Sequence, residues 1–111
     1  MASSADFVQF VCEQAAGPWT ILPRRMFGDW LIYADGRPVM ILGDNVVYVK
    51  MIPELAQLMD GSPTGCPYPT ARAHYVLDVE DRELVYRAVE ILAAVTPLPV
   101  KKSRAKKEKK T

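Results

Sequence analysis

Histidine and cysteine are almost absent from this chain: one histidine, His74, and two cysteines, Cys12 and Cys66, in 111 residues. Two cysteines make no disulfide framework, and the default expectation is a pair of free thiols in a reducing cytoplasm. Neither CxxC nor HxxxH spacing occurs, so no metal site and no Cys–His nucleophile are expected. His74 reads as a strand histidine beside Tyr75, and Cys66, between Gly65 and Pro67, as a plain loop thiol. No apolar run approaches the length of a membrane span. The start lacks a basic segment followed by an apolar one, so neither a transmembrane helix nor a secretory signal is expected. GxGxxG and GxxxxGK[ST] are missing too, and Gly28, Gly36 and Gly43 fall where strands end, as turn residues rather than a phosphate loop. No cofactor is expected.

What is present is one domain's worth of apolar residues, at 50% of the chain. Charge is distributed unevenly. Residues 1–100 hold 7 basic and 12 acidic side chains, whereas residues 101–111, KKSRAKKEKKT, hold 7 basic and 1 acidic. The first part reads as a mildly acidic domain over residues 1–97. Residues 98–111 read as a basic, disordered tail.

The densest structural signal lies in residues 24–50. Asp35-Gly36 separates two apolar runs and suits a tight hairpin, because Gly takes positive φ without a Cβ clash and Asp tolerates it. Gly43-Asp44-Asn45 marks a second turn before Val46-Val47-Tyr48-Val49, rich in β-branched and aromatic residues. The spacing predicts an antiparallel meander over 29–34, 39–42 and 46–50. Its alternation is poor. Trp30 and Ile32 point one way, Leu31 and Tyr33 the other; Val39 and Ile41 likewise oppose Met40 and Leu42. A sheet with one wet face should alternate apolar and polar. Cover on both faces is expected instead, with helices on one side and a second copy or a partner on the other.

A helix is expected over 4–16, with Phe7, Phe10, Val11 and Ala15 on one face, Ser3 or Ser4 as cap, and Gly17-Pro18 as stop. Residues 19–22 suggest a short strand before Pro23. Pro53 begins a short helix to about Met59, with Leu55, Leu58 and Met59 inward. Residues 60–69 read as a loop. A strand over 74–77 precedes a last helix capped by Asp78 or Asp81. Its apolar stripe is Leu84, Val85, Ala88, Ile91, Leu92 and Val95, and Pro97 and Pro99 end it. The acidic group Asp78, Glu80, Asp81 and Glu83 is explained by helix capping rather than acid–base chemistry. The order predicts an α+β fold of two layers, an antiparallel sheet (the meander plus additional strands) with helices on one face.

Arg25-Met26-Phe27-Gly28, then Tyr33-x-Asp35-Gly36-x-Pro38, then residues 44–50 ending Val-Tyr-Val-Lys, give a pattern that resembles the N-terminal domain of the TfoX/Sxy family of bacterial competence regulators. The Tyr68 region, Tyr75 and the closing helix follow in compatible order, so the likeness spans about residues 5–95. The resemblance implies a compact α+β domain of the TfoX-N/YgaC type, near the secretion-chaperone-like folds, which often dimerise. It also implies a link to transcription regulation of DNA-uptake genes. Where relatives often follow Met-Phe-Gly with further glycines, this chain has Asp29-Trp30-Leu31, which suggests a more regular strand.

The expected function is therefore a non-enzymatic regulatory or interaction domain, cytoplasmic and homodimeric, working through a protein partner. Arg24 and Arg25 are candidate partner contacts, on opposite faces of an extended segment. Lys101, Lys102, Arg104, Lys106, Lys107, Lys109 and Lys110 are candidate contacts for non-specific nucleic acid through phosphate charge. The alternative is a small-molecule-binding protein or enzyme with a pocket between sheet and helices, to which Tyr33, Tyr48, Tyr68, Tyr75 and His74 would supply polar groups.

Overall fold

A computed structural model describes residues 2–26 and 28–99. The chain runs α1 (Ala5–Gln14), β1 (Ile21–Met26), β2 (Asp29–Ala34), β3 (Arg37–Gly43), β4 (Val46–Lys50), a 3-10 turn (Pro53–Leu55), β5 (Thr64–Gly65), β6 (His74–Leu77) and α2 (Arg82–Val95). The strands form one open antiparallel sheet of six strands, ordered β1-β2-β3-β4-β6-β5. This is the expected α+β class, with two helices against a largely meandering sheet.

Both hairpin turns have the geometry that suits a right-handed twist. Asp35 and Gly36 take φ 51° and 81°, and Asp44 and Asn45 take 52° and 62°, positive at both central positions. Gly43 is therefore the last residue of β3, not part of the turn. It is glycine because a Cβ there would sit 2.9 Å from the Pro67 carbonyl oxygen. Gly17 follows the end of α1, as expected of a stop. It is not among the positive-φ glycines. Its missing Cβ leaves room for the Trp19 ring, which would otherwise lie 2.7 Å away.

β1 is longer than residues 19–22 suggested and runs through Pro23. It is an edge strand, pairing only with β2, and an edge tolerates a missing N–H. The helix after Pro53 shortens to a 3-10 turn, yet Leu55 and Met59 are fully buried as expected. The loop over 60–69 contains the two-residue β5, which pairs with β6.

Register separates the two faces. Trp30, Leu42, Val47 and Leu77 are cross-strand partners in one row, and Ile32 pairs with Met40. With Val49 they face Val8, Val11 and Ala15 of the α1 segment and Val85, Ala88, Val89 and Leu92 of α2, in one hydrophobic core. Val89 completes the α2 stripe. Val39 departs from simple alternation: a bulge between Ile32 and Tyr33 lets it join Met40 in the core.

Ser4 caps α1 through its hydroxyl, 3.1 Å from the Phe7 N–H, and Asp81 caps α2, 3.1 Å from the Leu84 N–H. Among the described residues no helix is long and apolar enough to cross a membrane.

Candidate functional site

The helices leave the other sheet face uncovered, and its residues form a second register row. Arg24, Leu31, Ile41, Tyr48 and Val76 are successive partners across β1, β2, β3, β4 and β6. At about 4.8 Å per strand the row spans about 19 Å. Its four uncharged members are only half-buried. Leu22, partnered with Tyr33, is 57% exposed beside it. The two-sided apolar pattern therefore corresponds to one covered face and one open face. After α2 the chain crosses to this open face. The Arg37 guanidinium donates to the Thr96 carbonyl at 2.8 Å, and Leu98 and Pro99 border a groove with Leu22, Arg24, Tyr33 and Gly36.

Arg24 and Arg25 lie in β1 and point to opposite faces, as the alternation requires. Each covers an aromatic ring rather than pairing with a carboxylate. The Arg24 guanidinium lies 5.7 Å from the Tyr33 ring centre, and that of Arg25 5.2 Å from Trp30. The candidate nucleic-acid contacts Lys101, Lys102, Arg104, Lys106, Lys107, Lys109 and Lys110 lie outside the described residues.

A polar cleft of about 400 Å³ opens at the turn end of the sheet. Asp29 and Asp44 border it together with Tyr48, Cys66 and Tyr68. Asp29 organises this corner: both its oxygens accept the Ser3 N–H at 3.1 Å, and one accepts the Asp44 N–H at 2.9 Å. Asn45 completes the link. Its N–H donates to the Ser3 hydroxyl, and its side-chain oxygen accepts the Ser4 N–H, both at 2.9 Å. Sequence reasoning missed Asp29 as an organising group.

The five polar residues suggested for a pocket between sheet and helices do not converge there. Tyr33, Tyr48 and His74 belong to the open face by register, Tyr75 to the helix side, and only Tyr48 and Tyr68 meet, in the corner cleft. His74 is buried, and its Nδ1 lies 2.7 Å from the Arg72 carbonyl oxygen. Asp78 accepts the Glu80 N–H at 3.1 Å, and Glu83 pairs with Arg87 at 3.3 Å, so these acids serve the start of α2. Among the described residues no group of three or more His, Cys, Asp or Glu is placed to hold a metal ion. Both cysteines are free. Burial, with the Glu13 charge second, pushes the Cys12 thiol up, while Cys66 is exposed.

No family model matches the chain, and no solved structure does. An uncharacterised 12.7 kDa protein in the trpE 5′ region of Spirochaeta aurantia is 32% identical over 101 residues, which is 89% of this chain and 88% of that protein. Identity at that level along nearly the whole of both sequences places the chain in the family of the Spirochaeta aurantia 12.7 kDa protein.

Proposed function

We propose that this chain is a non-enzymatic interaction domain that works by presenting its open sheet face to another protein. The observation that carries the reading is the half-buried row Leu31, Ile41, Tyr48 and Val76, which no helix covers, although the 60–69 loop packs beside Tyr48. With Leu22, 57% exposed beside it, the row makes an apolar surface of the kind that marks interaction sites. The resemblance to TfoX N-terminal domains supports a regulatory role in the cytoplasm, in which the face is covered by a second copy or by a regulatory protein. The basic residues 101–111 then add non-specific attraction to nucleic acid.

Light scattering across protein concentration, on the parent chain and on Ile41→Asp, tests the self-association arm. A dimer lost on Ile41→Asp supports a second copy, and a strict monomer removes it. Mobility shifts on duplex DNA, with and without residues 101–111, test the tail. Equal binding by both forms, or by neither, removes its proposed part.

The second reading, a small-molecule site, is favoured by the corner cleft of about 400 Å³ with Asp29, Asp44, Tyr48 and Tyr68 around it. A fragment screen by NMR in which no compound shifts the resonances of these four residues removes that reading.

A further inference from the structure

We propose that the open face docks an acidic, amphipathic protein segment, which seats one apolar side chain in a slot between β3 and β4 and sets carboxylates against Arg24 and Lys50. This deepens the interaction-domain reading and rests on it.

The slot follows from the local sequence. β3 and β4 pair only through Ile41–Tyr48, Leu42–Val47 and Gly43–Val46. Before Ile41, the bulged Val39 turns to the core, and Pro38 has no N–H to offer a ladder. The strands part there and leave a recess of about 160 Å³. Leu31, Ile41 and Tyr48 of the open face border it, and Leu92 of the helix layer reaches it from the other side. An apolar cavity of about 150 Å³ is enough to hold a benzene molecule, so the recess suits one leucine- or phenylalanine-sized group. Buried apolar anchors in such pockets dominate binding energy at protein interfaces.

Charge selects the occupant. Arg24 ends the apolar row, and Lys50, which also borders the slot, flanks it; both are exposed. Among the described strand residues the one carboxylate registered to this face is Asp29, which is buried and holds the Ser3 and Asp44 N–H groups. A second copy laid face to face would add its own Arg24 and Lys50 and, among the described strand residues, no exposed carboxylate to meet them. An acidic partner meets complementary charge at Arg24 and Lys50.

Strand addition does not provide the docking mode. β1 carries Pro23 at its centre, and β5, at the other edge, is two residues long. Both features blunt a sheet edge. The partner therefore lies on the face.

The test uses the full chain and two fluorescent 16-residue helical probe peptides, one of leucine and glutamate, the other with lysine for every glutamate. Anisotropy titration is expected to show the glutamate peptide binding at least about tenfold more tightly than the lysine peptide. The double charge reversal Arg24→Glu/Lys50→Glu weakens it about tenfold, and Ile41→Trp, which plugs the slot and leaves the charges, does so by a similar factor. Circular dichroism confirms folding of each variant, and the charge reversal, confined to exposed side chains, remains informative if Ile41→Trp unfolds. Equal binding of both peptides, or binding of the glutamate peptide unaffected by folded variants of both kinds, overturns the proposal. A dimer that blocks both peptides and dissociates on Ile41→Asp also overturns it, while leaving the interaction-domain reading standing. A monomer that binds neither peptide overturns this proposal and the second-copy arm, and leaves a regulatory protein of other chemistry to the interaction-domain reading.

Discussion

The carboxylate of Asp29 holds the backbone N–H of Ser3 between its two oxygens, each 3.1 Å away. The same group takes the Asp44 N–H at 2.9 Å, so one side chain on β2 joins the N-terminal segment to the β3–β4 turn. Hydrogen bonds to a buried charged group are worth about 1.5–3 kcal/mol. Asp29→Ala is therefore expected to lower unfolding free energy by about 2–3 kcal/mol in urea titration. It leaves the Ser3 and Asp44 N–H groups short of an acceptor as well.

Two glycines should respond differently to a larger residue. A Cβ on Gly43 would lie 2.9 Å from the Pro67 carbonyl oxygen, so Gly43→Ala must displace a backbone and is expected to cost about 1–3 kcal/mol. Gly28 has φ +76° with open space around the Cβ position. Gly28→Asn, the residue type that best tolerates that region, should cost less than about 1 kcal/mol, whereas Gly28→Val should cost more. Thermal melts of the three variants check the order.

Leucines on the two sides of the sheet should separate in the same assay. Leu92 is buried in the core at 1% exposure, and Leu92→Ala is expected to destabilise by about 2–5 kcal/mol. Leu22 is 57% exposed on the open face, and Leu22→Ser should change stability by no more than about 0.5 kcal/mol. A large loss for Leu22→Ser would mean that the face is already covered in solution.

The two thiols should differ in reactivity. Desolvation, with Glu13 adding to it, raises the Cys12 thiol, so Cys12 stays protonated and slow toward iodoacetamide while exposed Cys66 reacts first. Peptide mapping after brief alkylation checks this. The folded pKa is raised above the unfolded one, so the linked stability is present below the unfolded thiol pKa. It is lost as pH rises through the folded value. Unfolding free energy should fall with pH in that alkaline window, and Cys12→Ser should remove the slope.

Much of the fold was legible because its signals are local. Asp35-Gly36 and Asp44-Asn45 carry positive φ, which few residues adopt cheaply, so turns and strand boundaries could be read from residue type. Ser4 and Asp81 cap helices through side chains three residues from their targets. β1 was less legible because Pro23 signals interruption along the chain, and only pairing with β2 makes it an edge residue. β5 was invisible because two residues carry no periodicity and exist as a strand only beside β6.

The candidate surface divides along the same line. The unbroken run Trp30–Ala34 of β2 was enough to place apolar side chains on both sheet faces, since strand side chains alternate. Which face the helices take depends on long-range packing: Ile32, Met40 and Val49 join Val11 and Leu92 in the core, and Leu31, Ile41 and Tyr48 are left outside. The slot beside Ile41 and the Asp29 knot are further removed from local pattern. One needs a bulge, a proline and a helix residue to meet across the sheet, and the other joins backbone groups 26 and 15 positions away. Turns and periodicity are written in neighbouring residues; the open face, its slot and its charge exist only once distant residues share a surface.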